Sequence, residues 1–163
     1  MRLVDVQDLI SRPGVSKRLE MSARIDGLYT EMITVGEETA FRCLLESVVE
    51  GVLVTGSLLG RMTCRCARCL KEFSRDFDVR VRELFAHAPT KDDDHYPIVE
   101  GEIDLEPMAR DAVLLDVPFS PLCKSDCLGL CSRCGGDRNL GECACGPEVD
   151  ERWAALSTLK IDD

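Results

Sequence analysis

The sequence predicts an α+β protein: a small antiparallel, barrel-like β-sheet covered by one helix, followed by a C-terminal cysteine-rich zinc-knuckle module. Three observations carry this. Apolar and polar residues alternate through several early segments, one stretch switches to helical periodicity, and six cysteines crowd between Cys123 and Cys145. The expected organisation is a sheet domain over residues 1–117, with an acidic loop at 87–101 and a covering helix at 103–116. Residues 118–163 then hold the cysteine-rich module and a short last helix.

Each element has its own signal. Asp5 to Ile10 reads as a helical turn capped by Asp5 and ended by Pro13-Gly14. Leu19, Met21, Ala23 and Ile25 alternate with polar residues, as in a half-buried strand, and Asp26-Gly27 turns the chain. Phe41, Cys43, Leu45, Ser47 and Val49 share one side of the next strand. Glu50-Gly51 marks a turn or bulge, and Val52, Val54, Gly56 and Leu58 continue beyond it. Phe73, Arg75, Phe77, Val79, Val81 and Glu83 alternate in a further strand. Short connections make these strands antiparallel neighbours. The segment HAPTKDDDHYPIVEG, from His87 to Gly101, is polar, acidic and interrupted by proline, so it reads as an exposed connection. Asp104 is then a fitting N-cap, Pro107 suits a first turn, and Leu105, Met108, Ala109, Ala112, Val113 and Leu115 form an apolar stripe directed at the sheet. Pro118 and Pro121 stop this helix. Asp150 could cap a last short helix that docks Trp153 and Leu156.

The 163 residues suffice for one domain with a core and a small appended module. No apolar run reaches the roughly 18 residues of a membrane helix, and the start, MRLVDVQD, has early acids and no apolar signal region. A cytoplasmic protein without membrane contact is expected. The net charge of −10 argues against broad attraction to nucleic acid, which depends on Lys and Arg neutralising phosphates. The charge is uneven, however. Arg61, Arg65, Arg68, Lys71 and Arg75 are therefore the candidate RNA-facing groups, against the plainer reading of a solvated strand pair.

The cysteines carry the chemistry. Cys131-Ser-Arg-Cys134-Gly-Gly has knuckle form, in which two thiolates reach one ion while the glycines permit a tight turn. Cys143 and Cys145 can complete a tetrahedron. Cys123 and Cys127 are then left over: alternative ligands, sharers of a second ion, or buttresses. Cys66-x-x-Cys69 also has knuckle spacing, but one pair cannot saturate zinc. Unless Cys123 and Cys127 fold back to complete a second site, that pair reads as buried or reducible thiols at a turn. Cys43, alone in a strand, is a core residue. A disulfide-bonded or redox-active cluster is the competing reading of the C-terminal cysteines, and it would need an oxidising compartment.

The order of motifs resembles the YceD family. The resemblance rests on Cys66-Ala-Arg-Cys69-Leu70, Ile103-Asp-Leu-Glu-Pro107, Pro121-Leu-Cys123, Gly129-Leu-Cys-Ser-Arg-Cys-Gly135, Asn139-Leu-Gly-Glu-Cys-Ala-Cys145 and Arg152-Trp-Ala-Ala-Leu156. It spans nearly the whole chain. It implies a bacterial and plastid factor needed for accumulation of large-subunit ribosomal RNA, acting in ribosome assembly or rRNA processing, with a pre-ribosomal rRNA or a large-subunit ribosomal protein as partner. No catalytic residues are carried over, because the family has none established.

The residues alone also argue against an enzyme. With two histidines beside an acidic loop, no nucleophile elbow and no phosphate-binding glycine loop, nothing assembles a base, a nucleophile and an electrophile. The leading expectation is a non-catalytic adaptor. A thiol-disulfide oxidoreductase using Cys66 and Cys69, or a redox-regulated zinc chaperone, are the alternatives. Thiol exchange usually places its reactive cysteine at a helix N-terminus within a βαβ unit, which is not the setting here. The sequence leaves the oligomeric state open.

Overall fold

The computed structural model describes residues 3–87, 95–141, 143–145 and 152. Eight strands and one helix follow one another as β1 (Leu3–Asp5), β2 (Ser16–Ala23), β3 (Ile33–Thr34), β4 (Thr39–Ser47), β5 (Gly51–Arg65), β6 (Glu72–Ala86), β7 (Tyr96–Val99), β8 (Glu102–Asp104) and α1 (Leu105–Asp116). The sheet order is β1-β8-β7-β6-β5-β4-β2, with β3 paired to one end of β5. The protein is thus mostly β with a single described helix, and its sheet curls into a half-barrel. The two ends of that order come close without forming a ladder: Lys17 of β2 donates through Nζ to the Asp5 carbonyl of β1 at 3.1 Å and faces the Asp8 carboxylate at 3.6 Å.

The alternation read from the sequence becomes the concave face. Phe41, Cys43 and Leu45 of β4, Val52, Val54, Leu58, Met62 and Cys64 of β5, and Phe77, Val79, Val81 and Phe85 of β6 all point inward and are buried. Cys43 is a core residue, as expected. Helix α1 closes this face with Leu105, Met108, Ala109 and Val113, and each fully buried Leu, Met or Val contributes about 1.5–3 kcal/mol. Asp104 is its N-cap, accepting from the Glu106 amide at 3.1 Å. Two polar ties fix the helix. Arg110 donates to the Asp26 carbonyl at 3.0 Å, and the Tyr96 hydroxyl donates to Asp111 at 2.9 Å while its ring stacks on Phe85. The turn after β1 also forms as expected, with Asp5 accepting from the Gln7 amide.

Four expectations need correction. The connection 87–101 is not loop throughout. Tyr96–Val99 and Glu102–Asp104 form a tight hairpin, because Tyr96 and Ile98 pack against the core and Ile103 is buried within it, a short pattern hidden among acids and a proline. The sheet is not wholly antiparallel either, since β6 meets β7 in a brief parallel pairing at Phe85↔Tyr96 and Ala86↔Pro97. The helix starts at Leu105 rather than Ile103, which belongs to β8. Finally, Leu115 is 88% exposed and Val49 is 82% exposed. The first lies off the buried face of α1 and the second in the β4–β5 turn, so neither joins the core. The expected helix of Trp153 and Leu156, with Asp150 as its cap, lies outside the described residues.

The long β4–β5–β6 meander depends on a close approach at Gly56. A Cβ there would stand 2.2 Å from the Arg42 carbonyl oxygen and 2.7 Å from the Cys43 Cα, both backbone atoms of the neighbouring strand. Gly56→Ala should therefore lower stability by about 1–3 kcal/mol in urea unfolding, as overpacking does. Gly36→Ala, where a Cβ meets nothing within 4 Å, is the control expected to stay within about 0.5 kcal/mol. Equal midpoints for the two variants would show that β4 yields freely at this point.

Candidate metal centre

The tip between β5 and β6 is a tight turn built on Cys66-Ala67-Arg68-Cys69. The Leu70 amide donates to the Cys66 carbonyl at 2.9 Å and the Cys66 amide to the Lys71 carbonyl at 2.9 Å, with Leu70 in the left-handed region at φ 61°. The C-terminal Cys131-Ser132-Arg133-Cys134 repeats this turn. The Gly135 amide donates to the Cys131 carbonyl at 2.9 Å, the Cys131 amide to the Gly136 carbonyl at 2.8 Å, and Gly135 sits at φ 70°. Two knuckles thus share one backbone geometry, although only the second shows the glycine that the left-handed position favours.

Each knuckle meets a second cysteine pair. Cys66, Cys69, Cys123 and Cys127 bring their sulfurs within 4.8 Å of one another, and so do Cys131, Cys134, Cys143 and Cys145. In the first group, Cys66 and Cys127 sulfurs are 3.8 Å apart and those of Cys69 and Cys123 are 3.7 Å apart. A tetrahedron of thiolates at a Zn–S distance of about 2.3 Å has edges of about 3.8 Å. A disulfide would need about 2.05 Å, and these cysteines are free. The leftover pair of the sequence, Cys123 and Cys127, is therefore the pair that folds back to Cys66 and Cys69.

The local field favours a bound cation. Burial raises the Cys66 thiol, but amide N–H groups of Cys123, Cys69 and Arg68 directed at its sulfur outweigh burial and draw it down to about 6. In the same cluster, burial and then the neighbouring sulfurs push Cys123 up to about 12. The second cluster repeats the pattern. Amides of Cys134 and Arg133 hold Cys131 at about 6, while a hydrogen bond with the Cys134 sulfur, then burial, push Cys145 to about 12. Four thiols this close cannot all ionise unaided, and a divalent ion held between them would supply the missing positive charge. Either cluster could hold a metal ion, and the donor set is compatible with zinc.

A polar chain ties the loop between Cys134 and Cys143 to the first cluster. Asn139, in the loop between Cys134 and Cys143, donates through Nδ2 to the Cys127 sulfur at 3.5 Å and accepts from the Leu128 amide at 2.9 Å. Its amide and its Nδ2 both donate to Asp137 Oδ1, while Asp137 Oδ2 faces Lys71 Nζ at 2.7 Å. Lys71 and Asn139 hold the Asp137 carboxyl down at about 2. The Asn-x-x-x-Cys spacing in the sequence was the only available signal.

Four of the five candidate RNA-facing groups have other engagements. Arg61 pairs with Asp76 at 2.8 Å, Arg65 with Glu72 at 3.9 Å, and Lys71 with Asp137. Arg68 donates to the Cys127 carbonyl at 2.9 Å and so braces the first cluster. Arg75 is exposed opposite Met62, near the turn end of the β5–β6 hairpin.

Partners that orient a metal-bound thiolate commonly tune affinity by 10–100-fold. Asn139→Ala should therefore weaken metal uptake at the Cys66/Cys69/Cys123/Cys127 cluster by about that factor, read by zinc titration of reduced, metal-free protein against a competing chelator. Unchanged affinity would show that the Asn139–Cys127 contact does not act on the sulfur.

Residues 54–160 match the family model described as large ribosomal RNA subunit accumulation protein YceD. An uncharacterized protein of Mycobacterium tuberculosis H37Rv is 38% identical over 163 residues, covering 94% of this chain and 78% of that protein. A Zea mays protein called large ribosomal RNA subunit accumulation protein YCED homolog 1, chloroplastic, is 30% identical over 146 residues, 84% of this chain and 47% of its own. Bacillus subtilis YlbN, uncharacterized, is 34% identical over 113 residues, 66% of each chain. No solved structure matches. The family model covers both cysteine clusters and the strands that carry them, and the chain belongs to the YceD family.

Proposed function

We propose that this protein is a non-catalytic factor supporting the accumulation of large-subunit (23S) ribosomal RNA. It acts in ribosome assembly or rRNA processing in the cytoplasm, as an adaptor that binds a pre-ribosomal particle through rRNA or a large-subunit ribosomal protein. The family supports the role, and the maize relative carries it in its name. The observation that carries the non-catalytic part is the pairing of two like knuckles with two further cysteine pairs. It commits eight of the ten cysteines to sulfur groups of metal-binding geometry. The other two, Cys43 and Cys64, are buried among sheet side chains, and burial pushes both thiols up, away from nucleophilic use.

The oxidoreductase reading is weakened by the place of Cys66 and Cys69. They sit at a strand-to-strand tip among four sulfurs, without the helix N-terminus that activates an exchanging thiol. A zinc ion in each cluster would be structural. Its four thiolates leave no open position for water or substrate, and its binding energy is folding energy for a segment with little apolar core.

Two measurements test this. Elemental analysis of protein purified without chelator should give two zinc ions per chain, and chelation should unfold the region from residue 118 onward. A metal-free protein that remains fully folded would remove the zinc. In cells lacking the protein, mature 23S rRNA should fall relative to small-subunit rRNA and recover on re-expression. An unchanged ratio would remove the function.

A further inference from the structure

The outward face of the sheet is convex, and the register places its side chains in rows. On this face Arg18 of β2 lies in line with Leu44, Thr55 and Arg82, while Glu20 lies in line with Arg42, Ser57 and Arg80. Two adjacent rows therefore hold four arginines and one acid, in a chain of net charge −10. Arg18, Arg42, Arg80 and Arg82 are all exposed. Among the described residues none of the four guanidinium groups is engaged in an ion pair or hydrogen bond, unlike the side chains of Arg61, Arg65 and Lys71 a few rows away. Between them lie Leu44 and two short side chains, Thr55 and Ser57, each with a hydroxyl that can donate. Arg18, Glu20, Arg42, Leu44 and Thr55 border an open groove of about 230 Å³.

The dimensions and composition narrow the ligand. With strands about 4.8 Å apart, Arg18 and Arg82 stand about 14 Å from each other across three strand spacings, and Arg80 and Arg82 about 7 Å apart along one strand. Such a spread suits several separate anionic groups, each met by one guanidinium fork, better than a single small anion. The exposed face of β2, β4, β5 and β6 carries no aromatic residue and no Asn or Gln at the outward positions 16–22, 40–46, 53–65 and 72–84. It therefore has neither the stacking platform of a single-strand binder nor the amide groups that commonly read base edges. What it offers is charge and hydroxyl donors for a sugar–phosphate backbone.

We propose that Arg18, Arg42, Arg80 and Arg82 form a sequence-independent docking surface for the phosphate backbone of double-helical RNA. The proposal rests on the rRNA-linked function above and names the contact through which that function is exerted. Acidic neighbours limit its reach. Glu46 and Asp78 occupy the flanking rows, so the positive strip is narrow, and the net negative charge repels RNA elsewhere.

The test is the binding of the full, zinc-replete chain to a short RNA duplex of arbitrary sequence, across salt. Four phosphate contacts should cost about 100-fold in affinity between 50 and 200 mM salt. The quadruple variant R18Q/R42Q/R80Q/R82Q should lose most of the binding and flatten the logarithmic salt slope by about three to four units. R61Q/R65Q, whose guanidinium groups are already paired, should leave the slope nearly unchanged. Single arginine variants, each lowering the slope by about one unit, keep the test valid if the quadruple variant unfolds. The proposal is overturned if the quadruple variant binds duplex as the parent does, if a single strand binds more tightly than the duplex, or if an acidic peptide competes better than RNA. Duplex binding through the four arginines, together with normal 23S rRNA in cells lacking the protein, would uphold the surface and remove the function. Full rescue of 23S rRNA by a folded quadruple variant would uphold the function and overturn the surface's part in it.

Discussion

The C-terminal segment stands on one contact, the seating of the β5–β6 tip beneath it. The Ala67 amide donates to the Pro121 carbonyl at 2.8 Å, the Leu130 amide to the Arg68 carbonyl at 3.0 Å, and the Arg68 guanidinium to the Cys127 carbonyl. Cys66, Cys69 and Cys127 form a small buried group of their own, packed with Phe73, Leu122 and Leu130 and separate from the main core. Gly129 permits the approach: at φ 73° it lies so close to Arg68 that a Cβ would stand 3.0 Å from that carbonyl. The segment thus borrows part of its hydrogen bonding and apolar cover from the sheet, and the sulfurs sit at the centre of the seam. Asn139 and Asp137 extend the seam into the loop between Cys134 and Cys143, through their contacts with Cys127 and Lys71.

Much of this was legible in the residues. The inward face of β4, β5 and β6 follows the two-residue alternation almost side chain for side chain, because burial on one face of a sheet leaves that pattern in any sequence. The cap at Asp104 was equally plain. The β7–β8 hairpin was obscured because its apolar residues are few, Tyr96, Ile98 and Ile103, and stand among acids and Pro97. The first knuckle was visible only as a spacing. Its turn puts Leu70 where Gly135 stands in the second, so the glycine that announces the geometry is missing although the hydrogen bonds are the same.

The charged residues show the opposite limit. The basic residues from Arg61 to Arg75 are near one another along the chain. Folding pairs two of them with acids directly across the β5–β6 ladder, at Arg61↔Asp76 and Arg65↔Glu72, and a third, Lys71, with Asp137. Arg18 and Arg42 belong to other strands and lie far from Arg80 and Arg82 in sequence. Only the register of three ladders brings the four together, and register is a long-range property that local composition does not encode.

The two clusters differ in how far apart their halves lie along the chain. The second is local, drawn from residues 131–145, whereas the first joins Cys66 to Cys127 across 61 positions and Cys69 to Cys123 across 54. A link over such a span closes a ring containing β6, β7, β8 and α1, and on the chain-entropy account it removes about 4 kcal/mol of freedom from the unfolded chain. It also imposes an order in time. At synthesis rates of about 5–20 residues per second, the tip thiols wait roughly 3–12 seconds between their own appearance and that of Cys127. A chain truncated anywhere in that interval keeps an unfinished half-site, so closure of the first cluster records that the helix and everything before it have been made.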